Sequence, residues 1–295
     1  MSVSRLRELL GTGVRIADGG VGTGLQPFAV EAGQPPEELA LEAPDELVEL
    51  HLSFIRAGSD IVLTDTFGAN PIRLGHSKYQ DAASVNRAAV ACARRAAELS
   101  GRDVLVAGSI GPTGEMLAPL GSLEPDAARE AFAAQAAALS DCDLLVIETM
   151  FSLDEATAAV LGCRQETALP IVVSFSFDAG AGEPRTMMGH SVDDVVLAMA
   201  ELGVDGIGFN CGASLDKAKA TAEAFVAAMR EHGVDLPLWV KPNAGLPEPL
   251  SGRYPADPLD MASFAAWAAT LGAAVVGGCC GTTGEHLHEI RSALR

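Results

Sequence analysis

Short β-rich runs recur eight times along this chain, with helical segments between them. The runs are VRIADGG (14–20), DIVLTDTF (60–67), DVLVAGSIG (103–111), DLLVIETM (143–150), PIVVSFSF (170–177), DGIGFN (205–210), PLWVKPN (237–243) and AAVVGGCC (273–280). Several stay apolar until their last residues. A strand with one wet face alternates in polarity, whereas a continuous apolar run suits a strand covered on both faces, as in a parallel sheet. PDELVELHLSFIRAG, AREAFAAQAAALS, VDDVVLAMAELG and DKAKATAEAFVAAMREHG are the clearest intervening helices. Many helical segments end in Gly, a common helix C-cap. Eight evenly spaced units in 295 residues predict an α/β fold, a (β/α)8 TIM barrel, ahead of a doubly wound open sheet. No low-complexity linker divides the chain, so residues 1–295 read as a single domain. MSVSRLRELL is expected as an extra helix near the barrel's bottom. The segment from Pro242 to Pro258 is expected as a long irregular loop of the kind that carries binding or gating roles.

Charge and hydropathy narrow the function classes. Acidic residues number 39 against 20 basic, a formal charge of −19. A nucleic-acid binder carries the opposite sign or a basic stripe, and none is visible. No apolar run approaches a membrane span, and the start lacks the apolar core of a signal peptide. The expectation is a cytoplasmic protein with no nucleic-acid or membrane partner.

The six cysteines then read as reduced thiols, because the chain is neither short nor cysteine-dense. Cys92 and Cys163 fall in helical patterns and Cys142 precedes a strand, so all three read as packing residues. Cys211, Cys279 and Cys280 differ, since they fall where strands six and eight end. Barrel chemistry sits at those ends. Three thiols converging there match the ligand count of an open zinc site, with a fourth position left for substrate. Adjacent Cys279 and Cys280 would point to opposite faces of a regular strand, but the flanking glycines let the chain turn. A vicinal disulfide or plain packing is the alternative.

Other polar residues at strand ends include Asp18 and Gly19 on strand one, Asp65 on strand two, Ser109 on strand three and Glu148 on strand four. Strands six and seven end in Asn210 and in Lys241 followed by Asn243. A carboxylate ending an apolar strand needs a partner. Glu148 and Asp18 therefore hold either a substrate ammonium or a salt bridge inside the barrel. GGVGTG (19–24) lacks the register of a dinucleotide loop and reads as a flexible loop with close backbone approach.

Together these motifs resemble the homocysteine S-methyltransferase family. DGGVGTGLQ, TDTFGAN, GSIGPTGE, IETM, GFNC, KPNAGLP and GGCCGTT follow in the family's order and cover essentially the whole chain. The likeness is strongest to the homocysteine-binding module of cobalamin-dependent methionine synthase. Betaine- and S-methylmethionine-dependent enzymes are further relatives. The resemblance implies methyl transfer to homocysteine to form methionine, with Zn²⁺ on Cys211, Cys279 and Cys280. It implies that Glu148 and Asp18, with backbone around Gly19, hold the amino-acid end of the substrate, and Ser109 is placed with them. It also implies that Asn243 can take the open zinc position when substrate is absent. Asp65 stands where the family often has Asn, and Gly284 replaces a common Pro. Thr282 and Glu285 are expected to form the last helix's capping box. No folate, cobalamin or activation module lies within the sequence. The donor is therefore expected to be a small molecule, or else a separate corrinoid or folate methyl-carrier protein to which this chain presents zinc-bound homocysteine.

Overall fold

Hydrophobic strands of two to seven residues place the barrel's core, and the helices cover it. A computed structural model describes residues 5–28, 34–75, 77–178 and 182–295. The strands are β1 (Arg15–Ile16), β2 (Ile61–Leu63), β3 (Leu105–Ile110), β4 (Leu144–Met150), β5 (Ile171–Phe175), β6 (Gly206–Cys211), β7 (Leu238–Pro242) and β8 (Ala273–Val276). The helices of the first half are α1 (Arg5–Leu10), α2 (Val21–Leu25), α3 (Leu39–Glu42), α4 (Pro44–Ala57), α5 (Pro71–Leu74) and α6 (Ala82–Ser100). Those of the second half are α7 (Pro125–Ala138), α8 (Leu153–Glu166), α9 (Val192–Glu201), α10 (Leu215–Glu231), α11 (Pro258–Leu271) and α12 (Gly284–Ala293).

All pairings are parallel, and the sheet runs β1-β8-β7-β6-β5-β4-β3-β2. An open doubly wound sheet would leave β1 and β2 as edges. Here Ala17 bridges Ile61 and the Asp60 N–H donates to the Ile16 carbonyl at 2.7 Å, so the two ends meet and the barrel closes. The expected (β/α)8 architecture is what forms.

Two apolar layers result. Inside the barrel, Ile61, Leu63, Leu144, Val146, Val172, Trp239 and Val275 pack together. Leu6 and Leu10 of α1 join that cluster, and Arg5 pairs with Asp205 just ahead of β6. The first helix therefore stoppers the end where the strands begin, as expected, although Met1–Ser4 lie outside the described residues. Between barrel and helices lies the larger layer, which includes Cys92, Cys142 and Cys163. Burial raises the last two thiols to about 12, which suits inert packing groups.

Three local expectations change. GGVGTG does not remain a loop: Val21–Leu25 coils into α2. The capping box of α12 uses Thr283 and His286 rather than Thr282 and Glu285. Thr282 is one residue too early, because its N–H closes a turn onto the Cys279 carbonyl. The strand-eight reading AAVVGGCC stops at Val276, and the residues beyond it turn across the barrel mouth.

Candidate metal centre and active site

The turn that follows β8 solves the geometry of adjacent cysteines. Gly281 has φ 79°, a left-handed conformation that side chains rarely adopt, and a Cβ there would meet the Tyr254 ring. Gly19 packs as closely from β1: a Cβ would come within 2.4 Å of the Thr282 carbonyl oxygen, while the next residue, Gly20, donates its N–H to that oxygen. The β1 loop and the cysteine loop are thus pressed together, and both thiols leave the strand pattern.

Cys211 comes from the other side of β7. Its φ of 65° and that of Thr149, 61°, are the positive values found for non-glycine residues among those described. Such backbone costs about 1–3 kcal/mol and persists only where its surroundings hold it. Asn210 supplies that hold. Its Oδ1 accepts from Thr149 N–H at 2.8 Å and from Ser174 Oγ at 2.7 Å. Its Nδ2 donates to Thr149 Oγ1 at 2.7 Å and faces the sulfurs of Cys211 and Cys279 at 3.4 and 3.8 Å.

The three thiols converge. Cys211 Sγ lies 3.4 Å from Cys279 Sγ, and all three sulfurs fall within 4.8 Å of one another. They are free thiols, so Cys279 and Cys280 are not bonded to each other. A tetrahedral zinc with Zn–S of about 2.3 Å sets its sulfurs roughly 3.8 Å apart. The separations and the soft donor set therefore fit zinc. Asn243 ties the two cysteine loops together: its Oδ1 accepts from Cys280 N–H at 2.9 Å, and its Nδ2 donates to the Gly212 carbonyl at 3.1 Å.

A cavity of about 870 Å³ opens beside these sulfurs. Gly19, Ser109, Glu148, Lys241, Tyr254 and the three cysteines line part of it. Glu148 Oε1 accepts from Ser109 Oγ at 2.6 Å. Burial, only partly offset by Lys241, pushes the Glu148 carboxyl up to about 7. Asp18 is fully buried and is not part of the cavity wall. Its Oδ1 accepts from Lys241 Nζ at 2.6 Å and its Oδ2 from Leu63 N–H at 2.7 Å. Burial favours the neutral amine of Lys241, but Asp18 and Glu148 more than offset that and hold the lysine protonated. The sequence reading assigned roles to neither Lys241 nor Asn210. A lysine inside LWVKPN and the Asn preceding Cys211 were the available signals.

The chain has relatives. A profile described as homocysteine S-methyltransferase matches residues 15–294. The chain belongs to the homocysteine S-methyltransferase family. Methionine synthases of Mycobacterium leprae (strain TN) and Mycobacterium tuberculosis (strain ATCC 25618 / H37Rv) are each 32% identical to it, over 98% of this chain and 25% of their own length. The chain thus spans about a quarter of these curated relatives. Among solved structures, the metallated form of the homocysteine methyltransferase MmuM from Escherichia coli superposes with a TM-score of 0.78 at 25% identity. That match covers 97% of this chain and 99% of the other.

Proposed function

We propose that this family member transfers a methyl group to the thiol of homocysteine, forming methionine, with zinc held by Cys211, Cys279 and Cys280. The observation that carries the reading is the triad of half-buried sulfurs facing one cavity that also holds the Glu148–Ser109 pair and Lys241. Zinc on three thiolates would supply a site where a fourth thiol loses its proton and is oriented as a nucleophile.

The protein's own groups do the rest. Glu148, with Ser109 donating to it, accepts the substrate ammonium. A carboxyl poised near 7 ionises readily when a cation arrives beside it. Asp18 acts from behind, by fixing Lys241 as a buried cation near Glu148 and Cys279, while Gly19 lets the β1 backbone approach closely. Asn210 directs its amide N–H groups toward two sulfurs, which favours their anionic form. Asn243 would have to release Cys280 N–H before its Oδ1 could serve as a ligand.

The test is metal analysis and methionine formation on purified protein with sulfonium and betaine donors. Wild type is expected to hold about one zinc per chain, and Cys280→Ala to lose metal and methyl transfer together. Full methyl transfer by metal-free Cys280→Ala overturns the reading. One observation favours a second version: the methionine synthase relatives are about four times as long. In that version the chain activates homocysteine for a separate methyl-corrinoid or folate carrier, and methionine forms only when such a carrier is added.

A further inference from the structure

A second acidic wall lines the same cavity, and the methyl-transfer groups above do not use it. Gln34, Pro36, Glu37, Asp65 and Phe67 contribute to it. Glu37 is buried but served: its Oε1 accepts from Gly68 N–H at 2.5 Å, and the charge of Arg73 acts on it. Asp65 is different. It is 4% exposed, and its carboxyl takes part in no hydrogen bond among the described residues; Oδ2 is sealed from water without a partner. Burial, with the like charge of Glu37 added to it, drives its carboxyl well above the usual range.

The carboxyls of Asp18 and Asp65 both end early barrel strands and both are buried, yet Asp18 has a lysine at 2.6 Å and a backbone N–H, and Asp65 has neither. A buried polar group without a partner costs about 1–3 kcal/mol, so such a group in a cavity wall signals a ligand that completes it. The missing partner must be a hydrogen-bond donor or a positive charge. Arg73 acts on Glu37, whereas the charge acting on Asp65 is the like charge of Glu37, and that favours a positive partner.

We propose that Asp65, with Glu37 beside it, forms a subsite for an organic cation, the ammonium or sulfonium group of a second substrate sharing the cavity with the thiol. That this cation belongs to the methyl donor rests on the methyl-transfer reading. Binding converts a neutral Asp65 to a carboxylate, and its proton passes to the buffer.

The test is titration calorimetry on the zinc-loaded full chain with trimethylsulfonium, tetramethylammonium and potassium chlorides, and separately with homocysteine. Wild type is expected to bind the organic cations in preference to potassium and to release up to about one proton, read from the dependence of heat on buffer ionisation. Asp65→Asn, a neutral-for-neutral change in the free protein, is expected to weaken the organic cations about tenfold, abolish the proton release and leave homocysteine affinity in place. Glu37→Gln provides a second variant, and thermal unfolding checks that both fold. Equal cation affinity in wild type and Asp65→Asn overturns the proposal, as do absence of organic-cation binding, preference for potassium, or parallel loss of homocysteine. Wild type that binds sulfonium but not homocysteine sinks the methyl-transfer reading and leaves the cation subsite standing.

Discussion

Replacing Lys241 with Met tests the electrostatic centre of the barrel. The Nζ to Oδ1 distance is 2.6 Å, with side chains 3% and 0% exposed. At an effective dielectric of about 20 that separation corresponds to a gross attraction of about 6 kcal/mol, part of which offsets the burial of both charges. Removing one partner strands the other, and the expected loss is about 3–5 kcal/mol. For a chain of 295 residues that lowers the unfolding temperature by about 5–8 °C. The sign with pH follows. Burial already raises the Asp18 carboxyl above its unfolded value with Lys241 beside it, and without the lysine it rises further. The variant therefore loses stability as pH rises above about 4, and its deficit relative to wild type shrinks on acidification. Adding Asp18→Asn should recover much of the loss, since the stranded charge is then gone. Thermal and urea unfolding of the two single variants and the double variant, at pH 5 and pH 8, reads all of this. A Lys241→Met protein within 1 kcal/mol of wild type, or a double variant no better than the single, refutes the argument.

Three further outcomes are expected. His51 is buried in α4 with both ring nitrogens unpartnered among the described residues, and burial lowers it from 6.5 to about 4. Its contribution is complete above about 6.5 and is lost as pH falls to about 4, a loss of about 3 kcal/mol that His51→Leu should abolish; parallel stability–pH curves would show the reasoning wrong. Asn210→Ala removes the amide holding Thr149, Ser174 and two sulfurs, and should weaken zinc about 10- to 100-fold in a chelator competition; unchanged affinity removes Asn210 from the site. Glu148→Gln should raise the homocysteine dissociation constant about tenfold with zinc content unchanged, and an unaltered constant would exclude contact with the substrate.

The parts legible in the sequence were those set by local pattern. Apolar runs separated by Ala-rich helices sufficed for the barrel, because parallel strands are buried on both faces. Cys211, Cys279 and Cys280 were legible because strand ends face one mouth. What the pattern missed depends on register between distant strands. Lys241 meets Asp18 across 223 residues, and no local signal ties LWVKPN to VRIADGG. Asn210 looked like one more polar residue at a strand end, and only the positive φ of Thr149 and Cys211 shows what its amide holds. The capping box slipped by one residue because the turn after Cys279 consumes Thr282. Likewise GGVGTG coils into α2 instead of staying open, once Gly19 and Gly20 lock onto Thr282.

The stopper formed by Leu6 and Leu10 has a consequence for traffic. On the methyl-transfer reading, with that end of the barrel packed, acceptor and donor would share the mouth where the strands end, and so would both products. Whichever ligand sits deeper must enter before its companion and leave after it. A folded methyl carrier, if one delivers the group, has a single face at which to dock, and while docked it blocks the exit.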